Sequence, residues 1–93
     1  MSVYIVSKVS VHDVEKMAVY VEAAPATVEK YGGRYVIRTG NITQIEGTED
    51  CNRMVILEFP DREAALAWYN SEDYRPLRDD RWAASDANIV LVE

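Results

Sequence analysis

Arg38 and Glu58 are charged residues set among apolar neighbours, and that placement is where chemistry is to be sought. Glu58 falls in the run Arg-Met-Val-Ile-Leu-Glu-Phe at 53–59. If that run is a strand, side chains alternate, and Glu58 shares a side with Met54 and Ile56. Arg38 falls in Arg-Tyr-Val-Ile-Arg-Thr at 34–39 and by the same alternation shares a side with Val36. A charge on an apolar face is costly unless it is paired. Two readings follow. Arg38 and Glu58 form a structural ion pair that fixes an assembly. Alternatively Arg38 is the bidentate donor for a small carboxylate or phenolate, and Glu58 is a general base whose pKa burial has raised. Arg34 and Lys8 are further cations that join such a site or reach solvent along their own stems.

Tyr4, Tyr35, Trp68, Tyr69 and Tyr74 make an aromatic set. Aromatics of this kind either pack a core and an interface with their hydroxyls satisfied at the edge, or wall a pocket for a flat ligand. In the second reading Trp68, Tyr69, Tyr74 and Arg81 line one mouth of the pocket, and Tyr4 adds to its wall. His12 is the single histidine, at the junction of the first strand and first helix. It reads as an exposed loop residue, without the ligand company a metal needs. Cys51 follows Glu49 and Asp50, whose charges disfavour a thiolate. No phosphate-binding loop, dinucleotide fingerprint or Ser-His-Asp set is present, so no cofactor is expected.

Composition narrows the partners. The 93 residues make one domain, with a net charge of −6. An acidic surface repels phosphate backbones and anionic lipid, so nucleic acid and membrane are excluded as expected partners. Arg75, Arg78 and Arg81 are interleaved with Asp79 and Asp80, which reads as a solvated helix face. One cysteine allows no internal disulfide. The first residues lack the basic and apolar regions of a signal peptide, and the expected location is the cytoplasm.

The elements that must position these residues follow from pattern and punctuation. Residues 3–10 read as a strand, with Val3, Ile5, Ser7 and Val9 on one side and Tyr4, Val6 and Lys8 on the other. Asp13 caps a helix carrying Val14, Met17, Ala18, Val21, Pro25 and Val28 at helical spacing, which Gly32 or Gly33 ends. Pro25 predicts a kink or broken turn. Residues 34–39 form a second strand, with a bend at Gly40-Asn41 and a continuation over 42–46. Residues 53–59 form the third strand. Asp61 caps a second helix that is apolar almost all round and therefore expected to be buried. Ser71 caps a further short helix, irregular near Pro76, on which Tyr74, Leu77 and Arg81 share a face. Residues 88–92 close the chain as a strand. The order strand, helix, strand, strand, helix, strand predicts an α+β ferredoxin-like fold with a four-stranded antiparallel sheet, first and third strands central.

Helices cover one face of such a sheet, and a solvated second face would alternate cleanly with polar residues. It does not. Tyr4, Val6, Met54, Ile56, Val90 and Val92 oppose residues that are themselves apolar. The second face needs a cover, and a two-fold partner is the simplest one.

Several segments then resemble a known family: Ala-Ala-Pro-Ala-Thr at 23–27, Lys-Tyr-Gly-Gly-Arg-Tyr at 30–35, Arg-Thr-Gly at 38–40 and Ile-Glu-Gly at 45–47. Leu-Glu-Phe-Pro at 57–60, Ala-Trp-Tyr-Asn-Ser at 67–71 and Ile-Val-Leu-Val-Glu at 89–93 extend the likeness through nearly the whole chain. They resemble the domain of unknown function 1330 family, in the dimeric α/β-barrel superfamily. The resemblance implies a homodimer whose sheets enclose a barrel-like interior, and it implies no reaction. Two functions stay open. One is a homodimer that binds an unknown small molecule, with a cofactor-independent reaction on a small aromatic or oxygenated carboxylate as its enzymatic form. The other is a non-catalytic structural or interaction dimer.

Overall fold

The computed structural model describes residues 2–48 and 51–93. Its elements are β1 (Val3–Val11), α1 (Val14–Lys30), β2 (Arg34–Thr39), β3 (Arg53–Phe59), α2 (Arg62–Tyr69), α3 (Arg75–Ala84) and β4 (Ser85–Val92). The strands form one antiparallel sheet in the order β2-β3-β1-β4, with the helices on one face. This is the α+β ferredoxin-like arrangement, and β1 and β3 are central.

Local chemistry sets the helix ends. The Asp13 carboxylate accepts the Lys16 N–H at 3.1 Å, and Asp61 accepts the Ala64 N–H at 2.8 Å. Both satisfy donors that a helix leaves orphaned. α1 runs unbroken through Pro25. It ends where Gly32 turns to φ 83°, with the N–H of Gly32 on the Glu29 carbonyl and that of Gly33 on the Val28 carbonyl. A Cβ on Gly33 would sit 2.6 Å from Phe59 Cε1, so only glycine lets this turn close on the core. α1 buries Met17, Ala24 and Val28, while Val14 is 75% exposed and lies off that stripe.

Five expectations are corrected. Residues 42–46 do not continue β2. Thr39 already pairs with Met54, next to the start of β3, so little strand remains for them to join. There the Asn52 side chain turns instead to the Val11 N–H and carbonyl of β1. α2 buries Ala65 and Trp68 but leaves Leu66 and Ala67 exposed. β4 begins at Ser85, because α3 passes into it directly and Asp86 and Ala87 already pair with β1. Arg75, Arg78 and Arg81 do not share a solvated face: Arg75 is exposed, Arg78 is half-buried, and Arg81 is 3% exposed. Finally, Ser71 does not cap α3, whose N-cap is Tyr74 without a side-chain cap; its hydroxyl accepts the Tyr74 N–H at 3.1 Å in the turn before that helix.

The core lies between sheet and helices. Val3, Ile5, Leu57 and Phe59 meet Val28, Ala65, Trp68 and Tyr74, and a smaller cluster joins Val9, Met17 and Ala84. The opposite sheet face is bare. Tyr4, Val36, Ile37, Val90 and Val92 are all exposed.

Candidate functional site

A bulge in β2 decides which residues can meet. Tyr35 pairs with Leu57, but Ile37 pairs with Ile56, so two residues of β2 pass while β3 advances by one. Alternation is reset at Val36. Arg38 then pairs with Val55 and lies on the helix-covered side, with its guanidinium 4.7 Å from the centre of the Tyr35 ring. Glu58 lies on the open side, with Arg34 and Tyr4 as its cross-strand neighbours. The expected Arg38–Glu58 pair is therefore absent, and the sheet separates the two.

Glu58 has its own partners. Arg34 forms an ion pair with it, and the Tyr4 hydroxyl donates to it at 3.4 Å. The Ser2 hydroxyl, Arg34 and Tyr4 together outweigh desolvation and hold its carboxyl below the usual range. This is the reverse of the raised pKa that a general base would need.

The helix-covered side holds a narrow, partly open cavity between α1, α3 and the sheet. Met17, Tyr20 and Val21 come from α1, Trp68 from α2, and Arg81 from α3. Tyr35, Arg38 and Arg53 line it from the β2 and β3 side. The cavity is narrow: the centre of a water can range over about 20 Å³, which is room for one water. Broader hollows lie beside Pro25 and Glu29, and between Leu66 and Ile89, but they are open, and among the described residues no buried side-chain polar atom without a partner lines them.

Arg81 dominates the cavity. Its Nε–H donates to Tyr74 Oη at 3.4 Å, while Nη2 is buried without a hydrogen-bond partner. Among the described residues no carboxylate pairs with it. Burial works against its charge, but the phenol oxygens of Tyr74 and Tyr20 outweigh that, and the guanidinium remains charged. Tyr74 is fully buried, and its hydroxyl lies 2.7 Å from that of Tyr20. Burial, followed by the neighbouring Tyr74, pushes the Tyr20 phenol well above its ordinary value. Burial also raises Tyr35, against the pull of Arg38. Both phenols are therefore protonated at neutral pH.

The remaining aromatics back this wall. Trp68 stacks 4.2 Å from Tyr74 between ring centres, and its indole N–H donates to Thr27 at 3.0 Å. Tyr69 packs behind Trp68 and Tyr74 and carries Arg78 over its ring at 5.5 Å. Tyr69 and Tyr74 do not line the cavity themselves. Of the residues singled out in the sequence, the structure brings Tyr35, Arg38, Trp68 and Arg81 to one cavity and places Tyr4 and Glu58 across the sheet. Tyr20 and Arg53 were missed. Tyr20 had a signal, since it stands three residues after Met17 and four before Ala24 on the buried stripe. His12 is exposed in the turn before α1, and Cys51 is half-buried. Glu49 and Asp50, invoked to disfavour the Cys51 thiolate, lie outside the described residues. No helix among the described residues is long and apolar enough to cross a membrane.

Comparison with known proteins agrees with this architecture. The model of the family described as a domain of unknown function, DUF1330, matches residues 2–93, and the chain belongs to that family. No curated protein matches the chain. Among solved structures, a Rhodopseudomonas palustris protein of unknown function superposes with a TM-score of 0.84 at 19% identity, covering 98% of this chain and 80% of that one. A dimeric ferredoxin-like protein of unknown function from Jannaschia sp. CCS1 gives 0.80 at 10% identity, covering 100% and 99%. The cofactor-independent oxygenase SnoaB of Streptomyces nogalater gives 0.68 at 20% identity, covering 99% and 91%. At these identities the likeness is one of fold.

Proposed function

We propose that this member of the family is a homodimer that binds a small organic molecule between its helices and its sheet. The observation that carries the binding role is Arg81: a residue 3% exposed, with no carboxylate paired to it among the described residues and a buried nitrogen lacking a partner. A lone buried charge is costly, so a site that keeps one is built for a group that arrives from outside. The polar end of the ligand meets Arg81 against Trp68. Its body leaves past Arg38, which is exposed and lies over the Tyr35 ring. An oxygenated or aromatic carboxylate suits this combination, and the oxygenase among the fold's neighbours is in keeping with small-molecule chemistry. The homodimer rests on the bare apolar face and agrees with the dimeric neighbour.

The tightness of the cavity, about 20 Å³, favours a second reading, a dimer that binds only itself. Native mass spectrometry of protein taken directly from cells separates the two. A two-chain mass carrying a small adduct that Arg81→Met loses supports the ligand-binding dimer. A bare two-chain mass that also resists added carboxylates supports the second reading. A one-chain mass overturns the dimer, and an adduct retained by Arg81→Met overturns the site.

A further inference from the structure

We infer that Tyr20 is the second ligand-contacting donor of this cavity, so that the pocket selects acceptor-only oxygens and takes carboxylates over the matching carboxamides. This rests on the small-molecule role proposed for the same cavity.

The direction of the hydrogen-bond chain carries the argument. Arg81 has only donors to offer, so its Nε–H must donate to Tyr74 Oη. Tyr74 Oη is then an acceptor with one hydrogen of its own. Its other hydrogen-bond partner among the described residues is Tyr20 Oη, at 2.7 Å. Were Tyr20 the donor in that pair, the Tyr74 hydrogen would be left without an acceptor on a residue 0% exposed that does not line the cavity, whereas Tyr20 is half-buried and lines it. An unmet buried donor is expensive, so Tyr74 donates to Tyr20. Tyr20 thereby keeps its own O–H free. Tyr20 and Arg81 both line the cavity, and no carboxylate among the described residues does. Tyr20 and Arg81 thus bring two donors to one cavity, the O–H that Tyr20 keeps and a guanidinium whose Nη2 is buried without a partner. The cation at the head of the chain polarises each hydroxyl in turn and strengthens the terminal donor. A carboxylate supplies acceptors to both donors. A carboxamide brings an NH2 group and lacks the charge, and that group finds no carboxylate there.

The test titrates acetate against acetamide and benzoate against benzamide, following Trp68 fluorescence in a Trp82→Phe background. Trp82 is exposed and outside the cavity, so its removal isolates the signal. The acids are expected to bind at least about tenfold more tightly than the amides. Tyr20→Phe is expected to reduce the acid-over-amide ratio about tenfold, with amide affinity unchanged. Because that change strands the Tyr74 hydrogen, Tyr74→Phe is the second route. It keeps the Tyr20 hydroxyl but cuts it from Arg81, and the ratio should fall by less. A purely structural role for the tyrosines would weaken acid and amide alike and overturn the inference. Equal binding of acids and amides by the wild-type protein would also overturn it while sparing the small-molecule role. Failure of every probe to bind would remove both.

Discussion

The two faces of the sheet handle charge in opposite ways. On the open face the charges are paired and the apolar surface is not: Arg34 and Tyr4 serve Glu58, while Val36, Ile37, Val90 and Val92 stand exposed. On the covered face the apolar surface is packed and the charge is not: Trp68, Phe59 and Tyr74 are buried, yet Arg81 holds an unpartnered nitrogen. Unsatisfied apolar surface calls for another protein surface. An unsatisfied buried cation calls for an anion small enough to reach it. On the proposed function, one sheet presents an assembly surface on one side and a ligand site on the other. A substitution on either face should affect one of these properties and spare the other.

The largest expected effect is on the covered face. Trp68→Ala removes a side chain 3% exposed that touches Phe59, Tyr69 and Tyr74. It should cost about 3–5 kcal/mol of folding stability in urea unfolding. A loss below 1 kcal/mol would show that the cavity wall is not part of the core. Next comes the open face. Ile56→Asp places a charge beside Val6 in the middle of the bare surface. Dimer dissociation should rise about a hundredfold, close to 3 kcal/mol at the interface, in sedimentation equilibrium. An unchanged dimer would move the interface off this face and end the comparison between an assembly side and a ligand side.

The sequence showed more of the open face than of the covered one, for a physical reason. Two-sided apolar alternation in β1, β3 and β4 is a local pattern, and the sequence alone displays it. The caps at Asp13 and Asp61 were readable too, because a cap depends on residues three apart. The bulge at Val36 was not. Arg-Tyr-Val-Ile-Arg-Thr contains neither glycine nor proline, and the extra residue is forced by pairing with β3. Missing it put Arg38 on the wrong side and coupled it to Glu58. Arg81 failed differently. Asp79 and Asp80 beside it suggested solvent, but its spacing from Tyr74 and Leu77 already placed it on their face. Burial of that face is set by α1, through Tyr20, and no short-range pattern reports it.

Arg81→Met sharpens the covered side. Removing the guanidinium leaves Tyr74 still bonded to Tyr20, and methionine fills similar space with an apolar chain. A buried charge without a counter-ion is a burden on the fold, so stability should hold or rise by about 1 kcal/mol, while carboxylate binding is lost. A loss of about 3 kcal/mol or more, with no ligand effect, would make Arg81 a structural post instead.

The smallest expected effect is the pH response of the open face. The Ser2 hydroxyl, Arg34 and Tyr4 hold the Glu58 carboxyl below its usual range, with desolvation acting against them. A carboxyl depressed in the folded state binds a proton less readily there than in the unfolded chain. Its contribution is therefore present above the unfolded value and declines as pH falls through the folded one. Thermal unfolding followed from neutral to acid pH should show this as a shallow loss, and Glu58→Gln should flatten it. Glu58 sits on the face assigned to the partner, so the loss should deepen at high protein concentration, where that face is covered. The binding of carboxylate probes lies across the sheet from Glu58, and Glu58→Gln should leave it unchanged. If the same substitution instead weakened those probes, the two faces would be coupled through the sheet, and their separation into an assembly side and a ligand side would not stand.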